Sequence, residues 1–321
     1  MRQAVFLGEG RIRIDEAPAS APAKDEVCLH VAACCLCGSD LRPWRRGWPM
    51  PPGHEIAGIV DQPGHARHGQ RALVYIPVYC GSCEECLAGW THLCRNASDL
   101  IGWQRPGGYA EYVNVPERCL LRLPDDVPIH AAPLLLDTIG TAAHGIRLAR
   151  RVVQQGPALV LGAGPIGLGA LVVLRRLGFG PVDVIEPAET RRRFAAELGG
   201  RPLDPASATD RYPIVIEASG KDSARQRALE SVRPFGAIVQ LGEADAWHIE
   251  ETKAIRRKDF FYIRSFYFPI GEYAENLALF RADRELWLRF VDERVGLQGL
   301  GALFEIFAAG ECVKPALAFE V

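Results

Sequence analysis

Four cysteines between residues 80 and 94 constrain the fold of this chain more than any other feature of its sequence. They follow a C-x2-C-x2-C-x7-C spacing, in a loop rich in Gly and polar residues. Four thiolates at such a spacing can form the closed tetrahedral site of a structural Zn²⁺. Because the loop has few apolar residues, a bound metal would supply much of the free energy that folds it. Two disulfides or four unrelated buried cysteines are the alternatives. The predicted ligands of this structural zinc are Cys80, Cys83, Cys86 and Cys94.

Length and composition limit the classes of protein that this chain can be. Its 321 residues exceed what one hydrophobic core usually holds, so two domains are expected. The net charge of −2 gives no reason to expect a nucleic-acid or membrane partner. The N-terminus runs directly into a strand pattern, without a signal peptide, and no window approaches a membrane span. Of the ten cysteines, the six outside the cysteine loop show no disulfide framework, so we expect a protein of the reducing cytoplasm.

A second set of metal-binding residue types precedes the cysteine loop. The segment 37–40 reads Cys-Gly-Ser-Asp, and the segment 53–55 reads Gly-His-Glu. Cys and His are both zinc ligands, and here they stand beside carboxylates and a hydroxyl group. Around these segments we expect a hairpin of residues 4–6 and 11–15, strands over 27–33 and 74–78, and an Ala/Leu-rich helix from about residue 129 through Asp137 and His144.

The pattern changes at residue 158, where a short apolar run predicts a parallel strand buried on both faces. The run Ala158–Leu161 is followed by the glycine-rich turn 162–167, an apolar helix to Leu177 and a second apolar strand, 182–185. That strand leads directly into Glu186. In such a turn, glycines let the backbone approach a pyrophosphate, the helix N-terminus faces its charge, and the acid accepts hydrogen bonds from ribose hydroxyls. The alternative is a tight strand–helix turn that binds no dinucleotide.

Taken together, these blocks resemble the zinc-dependent medium-chain alcohol and polyol dehydrogenases, in particular the branch of the sorbitol and threonine dehydrogenases. The similarity runs over nearly the whole chain, with the blocks in family order. It implies an α/β fold in which a GroES-like β-barrel catalytic domain carries an inserted, doubly wound Rossmann domain, with the active site in the cleft. The expected boundaries are 1–145 for the catalytic domain with its zinc lobe at 79–95, 146–275 for the dinucleotide-binding domain, and 276–321 for the return to the catalytic domain.

The resemblance also implies roles for individual residues. Cys37 and His54 match two ligands of a catalytic zinc, and Asp40 matches the carboxylate that hydrogen-bonds the ligand histidine. Ser39 matches the hydroxyl that passes the substrate proton toward solvent. The third protein ligand corresponds to Asp137, seven residues before His144. Glu55 is the competing ligand, with an ion-paired position beside the metal as the other interpretation of that residue.

For the cofactor, the resemblance implies NAD, with NADP less favoured. Glu186 would repel the 2′-phosphate of NADP. Arg191 and its two neighbours, Arg192 and Arg193, would reduce the resulting preference for NAD over NADP. The residues expected to bind the dinucleotide are Gly162, Gly164, Pro165, Ile166, Gly167, Glu186 and Arg191. One departure concerns the proton relay, because the family's relay histidine is replaced by Arg42. An Arg does not release its proton at ordinary pH, so the proton leaves through water, another group or the cofactor ribose, or Arg42 binds an anionic group instead.

The function implied is a dehydrogenase with two zinc ions per chain that oxidises a secondary alcohol with NAD. The candidate substrates are polyols, sugars, aminocyclitols and hydroxy amino acids. One alternative is a zinc-independent reductase of conjugated carbonyls. Another is a non-catalytic dinucleotide-binding protein that keeps only the structural zinc. The resemblance further implies a homodimer or homotetramer, assembled through the apolar strand expected at residues 260–266.

Overall fold

In the computed structural model, which describes residues 1–207, 210–243 and 246–320, the chain forms two compact units. The first contains Met1–Leu136, Pro269–Ala274 and the residues from Asp283 onward. The second contains Asp137–Phe268 and Glu275–Ala282. In the order of the sequence, the second unit is therefore inserted into the first.

The helices and strands follow one another in this order. Up to residue 136 they are β1 (Arg2–Gly8), β2 (Arg11–Glu16), β3 (Glu26–Cys35), α1 (Leu41–Arg46), β4 (Glu55–Val60), β5 (Arg71–Val74), α2 (Glu84–Leu87), β6 (Tyr112–Pro116) and β7 (Leu120–Arg122). They continue with α3 (Ala142–Ala149), β8 (Ala158–Leu161), α4 (Pro165–Arg176), β9 (Val182–Ile185), α5 (Glu189–Glu197), β10 (Arg201–Pro202), β11 (Tyr212–Glu217), α6 (Asp222–Ser231), β12 (Val232–Gln240), α7 (Lys253–Arg256) and β13 (Phe261–Arg264). The last are α8 (Tyr273–Ala282), α9 (Arg284–Leu288), β14 (Arg294–Val295), α10 (Leu300–Ala309) and β15 (Ala316–Ala318).

The first unit is built on a seven-stranded sheet in which β3 is the central strand. The order is β14-β15-β3-β4-β5-β7, and β6 also pairs with β3. Along β3, Val27, Leu29 and Val31 are buried between more exposed residues, as their alternation in the sequence predicts. A separate hairpin of β1 and β2 matches the one expected at residues 4–15. Because β15 pairs with β3, the C-terminal segment returns to the sheet that the N-terminal residues begin.

Two local expectations about the first half of the chain are wrong. The strand expected at 74–78 is instead β5, which ends at Val74, before Pro77, a residue that cannot donate to a ladder. The continuous helix expected from residue 129 is a 3-10 turn at Ala132–Leu135, a π-helical turn at Asp137–Thr141 and α3. The division between the units falls at Leu136 and not at the expected residue 145, because the π turn and α3 pack on α4, within the second unit.

The second unit is a doubly wound parallel sheet. Its six strands lie in the order β10-β9-β8-β11-β12-β13, and every neighbouring pair is parallel. The strand β8 is buried along its whole length, as expected of a central parallel strand covered on both faces. The expected fold class is thus confirmed: an α/β protein with a largely antiparallel unit and an inserted Rossmann-type unit. None of the helices in the described ranges is long and apolar enough to cross a membrane.

Candidate metal and cofactor sites

The four cysteines of the loop come together, as their spacing predicts. Their sulfur atoms all lie within 4.8 Å of one another. The Sγ atoms of Cys83 and Cys94 are 3.7 Å apart, and those of Cys80 and Cys86 are 4.0 Å apart. All ten cysteines are free thiols, so the alternative of two disulfides is wrong.

The local electrostatics of this loop suit a cation. Hydrogen bonds from the backbone N–H and the hydroxyl of Ser82 lower the pKa of Cys80 to about 5. Burial raises the pKa of Cys86 to about 12. Several thiolates within 4.8 Å of one another repel, and a dication would remove that repulsion. The donor set of four sulfurs therefore fits Zn²⁺, the metal that such sites usually hold.

A second group of donors brings together the residue types that the sequence singled out. Cys37, His54, Glu55 and Asp137 are buried, and their ligand atoms lie within 4.8 Å of one another. Cys37 precedes a 3-10 turn, and Asp137 directly follows Leu136 in the chain. Glu55 is the first residue of β4, and His54 immediately precedes that strand. One sulfur, one nitrogen and a carboxylate oxygen are a donor set that suits a zinc ion with an open fourth position.

Asp40 organises the surroundings of this group. Its Oδ2 accepts hydrogen bonds from the Cys37 backbone N–H and from the Tyr109 hydroxyl, both at 2.8 Å. Its Oδ1 lies 3.2 Å from His54 Nδ1. A proton on Nδ1, facing the carboxylate, would leave Nε2 as the metal-binding atom. Burial raises the pKa of Tyr109 well above its usual value, so its hydroxyl remains a donor to Asp40.

The two carboxylates of the group have different environments. Lys314 Nζ forms a fully buried ion pair with Glu55 Oε1. The backbone N–H groups of Lys314 and of its neighbour Val313 donate to Asp292, which fixes the segment that carries the lysine. Asp137 Oδ1 instead accepts a hydrogen bond from the Thr141 hydroxyl at 2.6 Å. The charge of Glu55 is thus compensated by an ammonium group, whereas Asp137 is held by a neutral hydroxyl.

The glycine-rich turn after β8 has the close contacts expected of a dinucleotide-binding turn. Gly162 has φ +89°, and a Cβ atom there would lie 2.8 Å from Ser219. A Cβ atom on Gly167 would lie 1.8 Å from the Gly162 carbonyl oxygen, whereas one on Gly164 would meet nothing within 4 Å. Pro165 is the first residue of α4, with Ile166 next to it. The open side of Gly164, at a helix N-terminus, is where a pyrophosphate could approach.

Glu186 lies beside this turn. Its Oε2 accepts a hydrogen bond from the Ala163 backbone N–H at 2.6 Å, and its Oε1 accepts one from Ala188 at 2.8 Å. Arg192 donates to the carbonyl oxygens of residues 186 and 187 at 3.0 and 2.9 Å, and Arg191 precedes it in α5. The negative charge of Glu186 is therefore held at the end of β9, next to the phosphate-binding turn.

Sequence reasoning misses the roles of Tyr109 and Lys314 beside the metal-binding group. For Trp103 it leaves open a place at the substrate mouth or a packing role, and the structure stacks this ring on His54 with 5.5 Å between centroids. A Gly-Gly-Tyr segment and a lysine near the C-terminus are ordinary in composition. Only the folded sheet shows that they meet residues far away in sequence.

Comparisons with known proteins agree with this fold. A family model described as the alcohol dehydrogenase GroES-like domain matches residues 23–125. An L-threonine 3-dehydrogenase of Chelativorans sp. (strain BNC1) is 31% identical over 267 residues, 75% of this chain and 76% of that protein. A 2-dehydro-3-deoxy-L-galactonate 5-dehydrogenase of Pseudoalteromonas atlantica is 31% identical over 262 residues, 75% of this chain and 76% of that protein. The solved alcohol dehydrogenase TADH from Thermus sp. ATN1 has a TM-score of 0.89 and 25% identity, with each chain covered completely.

A GroES-like segment, an inserted Rossmann-type unit and clustered zinc-type donors are together typical of alcohol oxidoreductases of the zinc-dependent class. The chain belongs to the zinc-type medium-chain alcohol dehydrogenase family, whose members act on CH–OH groups. The resemblance found in the sequence is thereby confirmed.

Proposed function

We propose that this protein is a Zn²⁺- and NAD-dependent dehydrogenase that transfers a hydride between a secondary alcohol and NAD. The observation that carries the proposal is the convergence of Cys37, His54 and Asp137 within 4.8 Å. A metal-free reductase of conjugated carbonyls would have no use for such buried donors, nor would a protein that only binds a dinucleotide. The alcohol would be a polyol, a sugar, an aminocyclitol or a hydroxy amino acid. Similarity to dehydrogenases of L-threonine and of a deoxygalactonate supports that range.

Cys37, His54 and Asp137 would hold the catalytic zinc. We favour Asp137 over Glu55 as the carboxylate ligand because the Glu55 charge is already compensated by Lys314. A zinc ion held there would act as a Lewis acid that lowers the pKa of an alcohol. Asp40 would orient His54 and hold its tautomer.

Ser39 is the residue best placed to accept the proton of the substrate alcohol. It lies between Cys37 and Asp40 in the 3-10 turn Gly38–Asp40 and is half-buried, so its hydroxyl can face both a substrate and water. An arginine side chain does not act as a proton relay in the way a histidine does, so the proton would continue from Ser39 to solvent.

NAD is the proposed cofactor because Glu186 places a carboxylate beside the phosphate-binding turn, where it would repel a 2′-phosphate. Arg192 donates to backbone carbonyl oxygens and leaves that negative charge in place. Arg191 would contact the adenosine ribose or its phosphate. We expect Glu186→Ala to bring the NADP activity closer to the NAD activity.

Three further features complete the proposal. The four-cysteine lobe would hold a second, structural zinc ion, giving two per chain. The edge strand β13 would pair with its copy in a homodimer, or in a homotetramer built from such dimers. Ten free thiols would suit a reducing cytoplasm.

The test is NADH formation by the zinc-replete protein, with NAD and NADP in parallel, against simple alcohols, polyols, cyclitols, aminocyclitols and L-threonine. We expect turnover of one class of secondary alcohol, two zinc ions per chain, and loss of turnover in Cys37→Ser. The control is Cys28→Ser, which changes a half-buried thiol outside both donor groups. One zinc per chain with dinucleotide binding and no turnover would instead support the non-catalytic alternative.

A further inference from the structure

A buried carboxylate lies beside the glycine-rich turn of the second unit. Glu217 is the last residue of β11, where it pairs with Leu161, the residue directly before Gly162. Its side chain is completely buried, at the end of a central strand of the parallel sheet. A charge buried in this way is costly unless hydrogen bonds stabilise it, so the partners of Glu217 indicate its role.

The Glu217 carboxylate fixes a tight loop directly after its own strand. Its Oε1 accepts hydrogen bonds from the Ser219 backbone N–H at 2.8 Å, from the Ser219 hydroxyl at 2.7 Å and from the Gly220 backbone N–H at 2.9 Å. Gly220 has φ +69°, and a Cβ atom there would lie 2.2 Å from the Glu243 carbonyl oxygen, so the loop requires glycine at this position. One oxygen atom therefore holds both Ser219 and Gly220.

This loop packs directly against the turn that we propose to bind the pyrophosphate. A Cβ atom on Gly162 would lie 2.8 Å from Ser219 Cβ and 3.1 Å from the Ser219 backbone nitrogen. On its other side, Gly162 meets Gly167 in α4, where a Cβ atom would lie 1.8 Å from the Gly162 carbonyl oxygen. The turn is thus confined between the loop and the helix. A displacement of Ser219 would remove one of the two surfaces that confine it.

A buried arginine compensates the charge of Glu217. Arg225 Nε lies 3.9 Å from Glu217 Oε2, and both side chains are shielded from water. Arg225 is itself held in place, because its Nη1 donates to Asp222 Oδ1 and to the Ala246 carbonyl oxygen, both at 2.9 Å. Opposite charges attract strongly in such surroundings. A carboxylate paired in this way accepts stronger hydrogen bonds from the loop than a neutral oxygen would.

We propose that Glu217 is a positioning residue for the dinucleotide, acting through Ser219 on the backbone of the glycine-rich turn. This inference rests on the proposed use of NAD and adds a residue outside the group expected to contact the cofactor. Without the hydrogen bonds to Oε1, the loop is free to move away from Gly162. Binding must then order the turn, and the entropy lost in doing so weakens the affinity for the cofactor.

The experiment compares two variants with a matched control. Glu217→Gln keeps the shape of the side chain and removes its charge, whereas Ser219→Ala removes only the hydroxyl donor. The control is Asp183→Asn, the same kind of substitution at a buried carboxylate of the same sheet. Asp183 accepts its hydrogen bonds from two arginines and a tyrosine, and none of them comes from the loop at Ser219.

Two readouts separate positioning from general stability. The first is Kd for NADH, measured by fluorescence titration well below the Tm of every variant. The second is hydrogen exchange at Gly162 and Ala163 in the cofactor-free protein. These amides donate to the Ile185 carbonyl oxygen and to Glu186 Oε2, so they exchange when the turn opens. The exchange rates therefore report on the turn without the need for a bound cofactor.

We expect Glu217→Gln to raise Kd for NADH about 10- to 100-fold, the range that corresponds to a hydrogen bond to a charged group, and to speed exchange at both amides of the turn. Ser219→Ala should raise Kd by a smaller factor, because the two backbone donors remain. The double variant should bind more tightly than the product of the single effects predicts, because Glu217 acts through Ser219. Asp183→Asn should lower Tm and leave Kd and the exchange of the turn unchanged.

Two results would overturn the inference. One is a Glu217→Gln variant that has a lower Tm, as the control does, but normal Kd and normal exchange at the turn. The other is an equal rise of Kd in Glu217→Gln and in Asp183→Asn, because general destabilisation would then explain the effect. NADH binding that depends on Glu217, without oxidation of any alcohol, would refute the dehydrogenase function and support the inference. Normal Kd in Glu217→Gln, with normal turnover, would do the reverse.

Discussion

At the scale of single residues, one buried carboxylate organises the candidate catalytic centre. Asp40 accepts hydrogen bonds from the Cys37 backbone and the Tyr109 hydroxyl and faces His54. We expect Asp40→Asn to lower zinc affinity about 10- to 100-fold, because the amide cannot stabilise the proton on Nδ1 as a carboxylate does. Zinc content after competition with a chelator measures the effect, with Asp61→Asn as the control. If the zinc affinity of Asp40→Asn were unchanged, Asp40 would contribute only to packing and not to metal binding.

The Glu55–Lys314 ion pair gives a second prediction at this scale. Both side chains are completely buried, so Lys314→Met leaves an uncompensated carboxylate and should lower the free energy of unfolding by about 3–5 kcal/mol. The double variant Glu55→Gln/Lys314→Met should recover a large part of that loss. Urea denaturation measures both, and Arg256→Gln, which breaks an exposed pair with Glu251, should cost less than about 1 kcal/mol. If Lys314→Met were as stable as Arg256→Gln, the buried ion pair would not be needed for the stability of the fold.

At the scale of elements, we expect the cysteine lobe to depend on a bound metal more than on apolar packing. Leu87, Trp90 and Leu93 are 76%, 55% and 50% exposed, so they contribute little core. Cys83→Ser should lose one of two zinc equivalents and make the lobe sensitive to proteolysis, because serine is not ionised at neutral pH. Metal analysis and limited proteolysis measure this, with Cys28→Ser as the control. Full zinc content in the variant would contradict a four-cysteine site.

The turn between β8 and α4 contains two glycines for which we expect different roles. Gly167 is needed for packing, whereas Gly164 is expected to leave space for the cofactor. A Cβ atom on Gly167 would collide with the Gly162 carbonyl oxygen, so Gly167→Ala should lower both Tm and NADH affinity. Gly164 has open space, so Gly164→Ala should keep its Tm and still weaken NADH binding, because the methyl group stands where the pyrophosphate would approach. Thermal melts and fluorescence titration with NADH distinguish the two. Normal NADH affinity in Gly164→Ala would argue against this approach of the pyrophosphate.

At the scale of the whole molecule, the second unit ends its sheet with an apolar edge. The last strand in the order is β13, where Phe261 is 42% and Tyr262 is 37% exposed. Such an edge tends to pair with a second copy. We expect a dimer by light scattering, and a shift to monomer in Phe261→Lys/Tyr262→Lys, because pairing would bring the new charges together. Leu7→Lys, on an exposed residue of the first unit, is the control, and a monomeric unmodified protein would refute the pairing.

Features with a local physical cause can be predicted from the amino-acid sequence alone. The strands at Ala158–Leu161 and Val182–Ile185 have the bounds that their mostly apolar runs predict, because such short runs are typical of parallel strands buried on both faces. The one polar residue in them, Asp183, is buried in ion pairs with two arginines. The cysteine cluster and the glycine-rich turn could also be predicted from the sequence. Both a tetrahedral metal site and a phosphate-binding turn require particular residues at short separations along the chain.

The pairings between distant residues could not be predicted in this way, because they follow from the tertiary structure. Lys314 reaches Glu55 across 259 positions, and Tyr109 reaches Asp40 across 69. No local pattern encodes such contacts, because they depend on how β15, β3 and β4 pair in one sheet. The helix expected from residue 129 is also divided into a 3-10 turn, a π-helical turn and the helix α3, since the packing of this segment outweighs its helix propensity. Local spacing thus determined which chemistry the chain carries, whereas sheet pairing decided which side chains support it.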